Sequence, residues 1–261
     1  KFLERLRAVV AEVVVPAAAE IDKRDLYPAE VVRRLAREGY TAICLDEQWG
    51  GLGRPFPYMA AVFEEVGYAS AATATSLITI FQAQQTIRTF GEESLKKSFL
   101  PRFREGLLCS FAMTEAKHGS DVKRLDTKAV RDGSDWVLDG EKSFVTSSAA
   151  AELFVVLAES PVGVTGFALT RDQAGVRPYM GASSRTFGLR NGPHLNVELK
   201  GVRLAADRKI GEEGKGVKVA ATTLDHSRVA AAAIACGIAR AALDGAMGWA
   251  KDRVAFNQKV I

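Results

Sequence analysis

Cysteine is scarce in this chain, and what there is lies far apart. The 261 residues hold three, Cys44, Cys109 and Cys236. A secreted disulfide scaffold needs an even number at close spacing. A zinc site needs Cys or His pairs about two to five residues apart. Neither pattern exists, so no metal site is expected, and a reducing, cytoplasmic setting is. Histidine is equally sparse, at positions 118, 194 and 226, none of them in a nucleophile-elbow context. No block of Lys and Arg interleaved with aromatics occurs, which argues against nucleic acid. No uninterrupted apolar run of about 18 residues occurs, so no membrane span is expected. Glu4 and Glu12 interrupt the first turns, unlike a signal peptide. Phosphate motifs are missing too. No Gly-x-Gly-x-x-Gly follows a strand pattern, and Lys215 precedes Gly216 rather than the Ser or Thr of a P-loop.

What remains is an ordinary globular composition, 48% hydrophobic and 25% charged, with 35 basic and 31 acidic side chains. That excludes a disordered tail. The length is worth about two domains as a prior. The small positive surplus sits near the end of the chain, where residues 216–261 carry six basic and three acidic groups.

Periodicity divides the chain into three. Residues 1–108 read as a helical domain. An apolar stripe runs from Phe2 to Val13 and stops at Pro16; a second begins after Pro28 and ends at Gly39. Trp49-Gly50-Gly51-Leu52-Gly53 is a loop, and further helices cover Tyr58 to Val66, residues 72–90 and Glu92 to Leu100. Residues 109–215 read as a β domain of short antiparallel strands. Asp132-Gly133 and Asp139-Gly140 are both expected to be hairpin turns, and Leu195 to Lys200 alternates apolar and polar. Residues 216–261 return to helix as one or two long, Ala-rich stretches. They have too little partner surface of their own, so they read as the start of a helical bundle in a truncated chain. The fold class is α+β. Ala230 to Ala235 predicts close helix packing, and Asp225 reads as an acid in a first helical turn. His118 and His194 read as surface residues.

The stretch richest in chemistry is Phe111-Ala-Met-Thr-Glu-Ala-Lys-His-Gly-Ser-Asp121, followed by Phe144-Val-Thr146. Thr114, Gly119, Ser120 and Asp121 offer hydroxyls and backbone N–H groups to an anion or a heterocycle edge. The same residues also make an ordinary turn, with Asp121 as the turn former.

This run resembles the flavin-contacting signature of acyl-CoA dehydrogenases. Trp49 to Gly53 resembles the family's N-terminal Gly-rich loop, and Asp139-Gly-x-Lys-x-Phe-Val-Thr146 its Asn-Gly-x-Lys-x-Trp-Ile-Thr strand. Val202-Arg203 through Gly216 resembles the link into the last helices, and Arg253-x-x-Phe256 the Arg-x-x-Phe at the following helix end. The resemblance implies helical, β and helical domains in that order, and an FAD cofactor. It places Phe111, Met113 and Thr114 along the flavin ring, Phe144 against the ring, and the Thr146 hydroxyl at the flavin's reactive nitrogen. Ser120 falls near the pyrophosphate and the substrate entrance, and Arg253 and Phe256 at the FAD of a partner subunit. Asp225 and Arg228 fall at the thioester tunnel.

The implied reaction is α,β-dehydrogenation of an acyl thioester, carried by CoA or by a carrier protein. A homo-oligomer (dimer or tetramer) and an electron-transfer flavoprotein as acceptor are implied with it. The alternatives are an oxidase or monooxygenase on the same scaffold, or a non-catalytic subunit. The resemblance also implies a Glu base. A minority of members place it at position 227, which is Ser here, so it is expected beyond Ile261. Five departures stand out: Ala116 for Pro, His118 for Ala, Phe144 for Trp, Gly192 where many members carry a Ser near CoA, and Asn257 for the Gly after Phe256.

Overall fold

The computed structural model describes residues 1–182 and 184–261. Helices α1 (Phe2–Val9) and α2 (Val15–Arg24) are one continuous rod, joined by a π-helical turn at Val10–Val14. The expected stop at Pro16 does not occur. Proline costs nothing in hydrogen bonding where an N–H is already free, and Pro16 sits in the first turn after the π segment. Helices α3 (Ala29–Arg37), α4 (Phe56–Ala69), α5 (Ala71–Phe90) and α6 (Glu93–Phe99) complete the helical part. Ser70 caps α5 by accepting from the Thr73 N–H at 3.2 Å.

Among the described residues the main sheet has eight strands, in the order β6-β7-β3-β2-β4-β5-β8 with β1 (Cys109–Ala112) paired to β4 off that path. The others are β2 (Lys128–Asp132), β3 (Asp135–Val145), β4 (Leu153–Ser160), β5 (Gly163–Thr170), β6 (Val176–Tyr179), β7 (Leu195–Leu204) and β8 (Lys209–Ile210). It is mixed rather than purely antiparallel, because β1 and β2 both pair parallel with β4. Asp132-Gly133 is a hairpin turn as expected, joining β2 to β3. Asp139-Gly140 is not. It lies inside β3 at a bulge opposite β7, where Gly140 has φ +148°. A Cβ there would lie 2.5 Å from the Thr127 Cα, so close packing rather than a turn explains this glycine.

The final helix α7 (Gly216–Asp252) is a single element of 37 residues. Its first half packs on α4, α5 and β5 through Val219, Ala220, Thr223, Ser227, Ala230, Ile234 and Gly237. The contact with α4 is tight enough that a Cβ on Gly237 would come within 2.2 Å of the Glu64 carbonyl oxygen. Arg240 closes this junction, donating to Glu64 and Glu65, and Glu65 also accepts from Arg7 of α1. Beyond it Leu243, Met247 and Trp249 are exposed. By length and composition α7 is long and apolar enough to cross a membrane, although it contains no unbroken apolar run of about 18 residues. Its apolarity is largely alanine, the residue that lets helices approach closely. A small hairpin follows, β9 (Val254–Ala255) with β10 (Gln258–Lys259).

Candidate flavin site

Strand β1 carries Phe111 out of the helical core, and Met113 follows it. Both pack against Leu125, Leu157, Val164 and Ala220, which brings the end of β1 against the first turns of α7. Beyond β1 the chain turns at Glu115–His118, where each residue's N–H donates to the other's carbonyl. The Glu115 carboxylate then organises the whole loop. It accepts from Lys142 Nζ at 2.7 Å, from the Thr127 N–H at 3.0 Å and from the Asp126 N–H at 2.6 Å. Lys142 Nζ reaches the Met113 carbonyl as well, at 3.3 Å, and the Ser143 N–H donates to the Thr114 carbonyl at 2.9 Å. Residues 113–115 are thereby fastened to β3.

This ion pair is buried at both ends, the Lys142 side chain 0% and the Glu115 side chain 2% exposed. Burial pushes the Lys142 ammonium down to about 8, against the pull of Glu115. Burial alone pushes the Glu115 carboxyl up. The bonds from Lys142 and Thr127 outweigh it and hold the group below the usual carboxylate range. The resemblance gave neither residue a role, although both stand inside the matched motifs. The sequence signal is weak, because both stand among other polar residues, and only their burial shows that the two charges must be paired. His118 and Asp126 lie near enough to Glu115 to form a metal-ligand trio. The Glu115 oxygens are already occupied by three donors, so the cluster reads as structural.

The end of β3 is distorted. Its register against β7 shifts between Lys142 and Val145, and Phe144 is held at φ +56° with 43% of its surface exposed. A bulky residue in the left-handed region is strained, and such strain concentrates at functional sites. Thr146 follows, with its carbonyl accepting from the Ser110 hydroxyl at 2.8 Å. His194 is buried, not on the surface as the sequence reading had it. Its Nδ1 is 3.4 Å from Thr146 Oγ1 and its ring centre 5.0 Å from that of Phe144. The structure therefore gathers Phe111, Met113 and Thr114 at one strand end, and Phe144 and Thr146 at another that is tied to it. Exposed apolar faces beside threonine hydroxyls suit a planar heterocycle with a polar edge, so the residues present fit a flavin.

Other expected residues lie apart. Ser120 is exposed in the 113–127 loop. There Asp121 behaves as the turn former, its Oδ1 accepting from the Lys123 N–H at 3.1 Å. Asp225 lies in the interior of α7 rather than in its first turn, because the helix begins at Gly216. Asp225 and Arg228 pair with each other at 2.6 Å and are about 70% exposed. The residues of α7 that face α5 are instead Thr223, bonded to Thr86 at 2.8 Å, and Ser227, bonded to Gln82 at 3.2 Å. Gly192 donates its N–H to buried Asp25 at 3.1 Å. Arg253 and Phe256 lie beyond the end of α7, Arg253 over the Trp249 ring and Phe256 fully exposed in the hairpin turn. Ala220 and Arg253 are separated by roughly 50 Å of helix at 1.5 Å per residue.

Comparison with known proteins agrees with this architecture. Residues 1–106, 110–202 and 214–261 match the N-terminal, middle and C-terminal domain models of acyl-CoA dehydrogenase. A protein described as probable acyl-CoA dehydrogenase fadE25 of Mycobacterium bovis is 33% identical, over 98% of this chain and 67% of its own length. The human mitochondrial short-chain specific acyl-CoA dehydrogenase is 30% identical, over 98% of this chain and 63% of its own. The structure of butyryl-CoA dehydrogenase from Megasphaera elsdenii superposes with a TM-score of 0.94 at 30% identity, covering 99% of this chain and 70% of that one. With its three-part fold, its matched domains and a relative sharing a third of its residues, the chain belongs to the acyl-CoA dehydrogenase family, FAD-dependent oxidoreductases that act on CH–CH bonds.

Proposed function

We propose that this chain holds FAD and an acyl thioester against each other for α,β-dehydrogenation, with the bulged end of β3 as the centre of the site. The observation that carries the reading is Phe144, strained and exposed, beside the Thr146 hydroxyl and within reach of the end of β1. When bound, the flavin supplies a two-electron acceptor for a hydride from the substrate's β-carbon. The protein's part is placement. Phe111 and Met113 give an apolar wall, and Thr114 and its backbone serve the ring's polar edge. Phe144 would pack on the ring, and Thr146 would place its hydroxyl oxygen at N5. The Glu115–Lys142 pair keeps the two strand ends in register, so these contacts are made without reorganisation. Ser120 sits towards the pyrophosphate and the substrate entrance.

The α-proton needs a carboxylate base. Ser227 cannot act as one. Its hydroxyl is committed to the Thr223 and Leu224 carbonyls and takes a bond from Gln82. The base is therefore assigned outside residues 1–261. Arg253 and Phe256 are too far along α7 to serve their own chain's site, which supports a homo-oligomer in which they reach a neighbour's FAD. The anionic pyrophosphate suits an Arg there. Asp225 and Arg228 contact the thioester end of the substrate, which is CoA-linked in this reading. Electrons leave to an electron-transfer flavoprotein, and the enzyme works in the cytoplasm.

The test is spectroscopic. The purified protein should be yellow or turn yellow on FAD titration, and an acyl-CoA panel should bleach it anaerobically only when the sequence carrying the base outside residues 1–261 is present. Failure to take up FAD overturns the reading. Immediate reoxidation of the bleached flavin by air replaces it with an oxidase.

A further inference from the structure

His194 has no chemical role in the site as argued so far, yet it touches both Phe144 and Thr146. It terminates a chain of hydrogen bonds whose direction is fixed at the far end. In α5 the Ser76 hydroxyl donates to the Ala72 carbonyl at 3.1 Å. With its proton committed, Ser76 Oγ accepts from Asn191 Nδ2 at 2.9 Å. That sets the orientation of the amide, so Asn191 Oδ1 faces His194 Nε2 at 3.1 Å and acts only as acceptor. Nε2 therefore carries the ring hydrogen. Burial lowers the imidazole's proton affinity, and the charge of Asp25 offsets only part of that. The ring is thus neutral, with a bare lone pair on Nδ1. Thr146 Oγ1 stands 3.4 Å from that lone pair, so its hydroxyl is the donor. Ser76, Asn191 and His194 are all buried, so water does not compete for these bonds.

We propose that His194 is a positioning residue that fixes the direction of the Thr146 hydroxyl bond and thereby favours the reduced form of the bound flavin. The inference rests on the reading of Thr146 as the partner of flavin N5. A hydroxyl whose proton is given to His194 has only lone pairs left to offer. Oxidised flavin presents N5 as an acceptor and has nothing to give them. Reduced flavin, having gained a hydride, presents N5–H as a donor and matches. The relay thus acts on the redox equilibrium and makes no contact with the reacting carbons.

Three measurements test it together. In the 15N-labelled protein, His194 should show a protonated Nε2 and a bare Nδ1, and Asn191→Leu should shift it towards the other tautomer. In FAD-loaded protein, His194→Leu frees the Thr146 proton for oxidised N5. The ratio of reduced to oxidised FAD affinity should fall about tenfold, a midpoint potential about 30 mV more negative for a two-electron couple. Asn191→Leu should move it the same way, and His194→Asn, whose amide oxygen takes the place of Nδ1, should restore most of it. In a Thr146→Val background His194→Leu should add no further shift. If Thr146→Val moves the potential but neither His194→Leu nor Asn191→Leu does, the inference fails while the flavin reading stands. If Thr146→Val does not move it either, Thr146 is not the N5 partner and both fall. The opposite tautomer in the unsubstituted protein overturns the relay whatever the potentials show.

Discussion

Glu115–Lys142 and Asn191–His194 both hold the last residues of β3, the first as a buried ion pair and the second as a chain of neutral hydrogen bonds. The ion pair is short, fully desolvated and surrounded by further donors, so it resists rearrangement. The neutral chain is longer and weaker at each link, but it has a direction, and reversing one link reverses the next. Both are buried, yet the cost of disrupting them differs. A desolvated charge left without its partner is far more expensive than an unpaired neutral dipole. One cluster thus serves as an anchor and the other as an adjustable contact to whatever meets Thr146.

The largest effect expected is on the anchor. Lys142→Met leaves Glu115 buried without its cation and should cost about 3–5 kcal/mol. Urea unfolding measures it, and the double variant with Glu115→Gln should recover much of the loss. If Lys142→Met is as stable as the unsubstituted protein, the pair is no anchor.

His194→Leu should cost less, about 1–3 kcal/mol, because it strands only the neutral acceptor of Asn191 and the Thr146 hydroxyl. A loss equal to that of Lys142→Met would erase the contrast between the two clusters.

Acid should reveal the same histidine. Its folded proton affinity lies below its unfolded one, so the unfolded state binds the proton first as pH falls below about 6.5. The stabilising contribution is whole above that pH and is lost on acidification beneath it. His194→Gln should remove this component of the pH dependence, as followed by thermal melts between pH 7 and 5. An identical slope in both proteins would show that folding leaves the proton affinity of His194 unchanged.

Thr146→Val should affect stability by only about 0.5–1.5 kcal/mol, the net value of one hydrogen bond, while slowing flavin reduction in single-turnover experiments. The exposed pair Asp225–Arg228 gives the lower bound. Arg228→Ala should change stability by about 0.2–1 kcal/mol, a change that shrinks with added salt, because water and ions screen this contact and not the buried one.

Local pattern made much of this protein legible. Amphipathic stripes marked the helices, the Asp132-Gly133 turn marked the hairpin between β2 and β3, and the return of helical period after Gly216 marked α7. The segments Phe111–Thr114 and Phe144–Thr146 stood out as flavin contacts only through the resemblance of their motifs to the family's, since on residue type alone the first also reads as the start of an ordinary turn. Where expectation and structure differ, a local backbone irregularity or a tertiary contact had overruled the residue's usual preference. Pro16 continues a helix because a π turn had already freed its N–H position. Gly140 is a bulge against Thr127 and not a turn. His194 lies in a polar loop yet is buried, because the loop folds onto α5 and β3.

The sequence by itself determined the order of helix, sheet and helix, since hydrophobic period is a property of consecutive residues and needs no partner to be read. Only the tertiary structure decided which polar groups face each other. Lys142 meets Glu115 across 27 residues and His194 meets Thr146 across 48. Nothing in either local segment encodes that meeting. It follows from the parallel placement of β1 beside β4, the bulges that turn the end of β3, and the loop before β7 closing over α5. A buried charge or a directed hydrogen bond takes its energy from the partner and from the exclusion of water, and both exist only once the chain has packed.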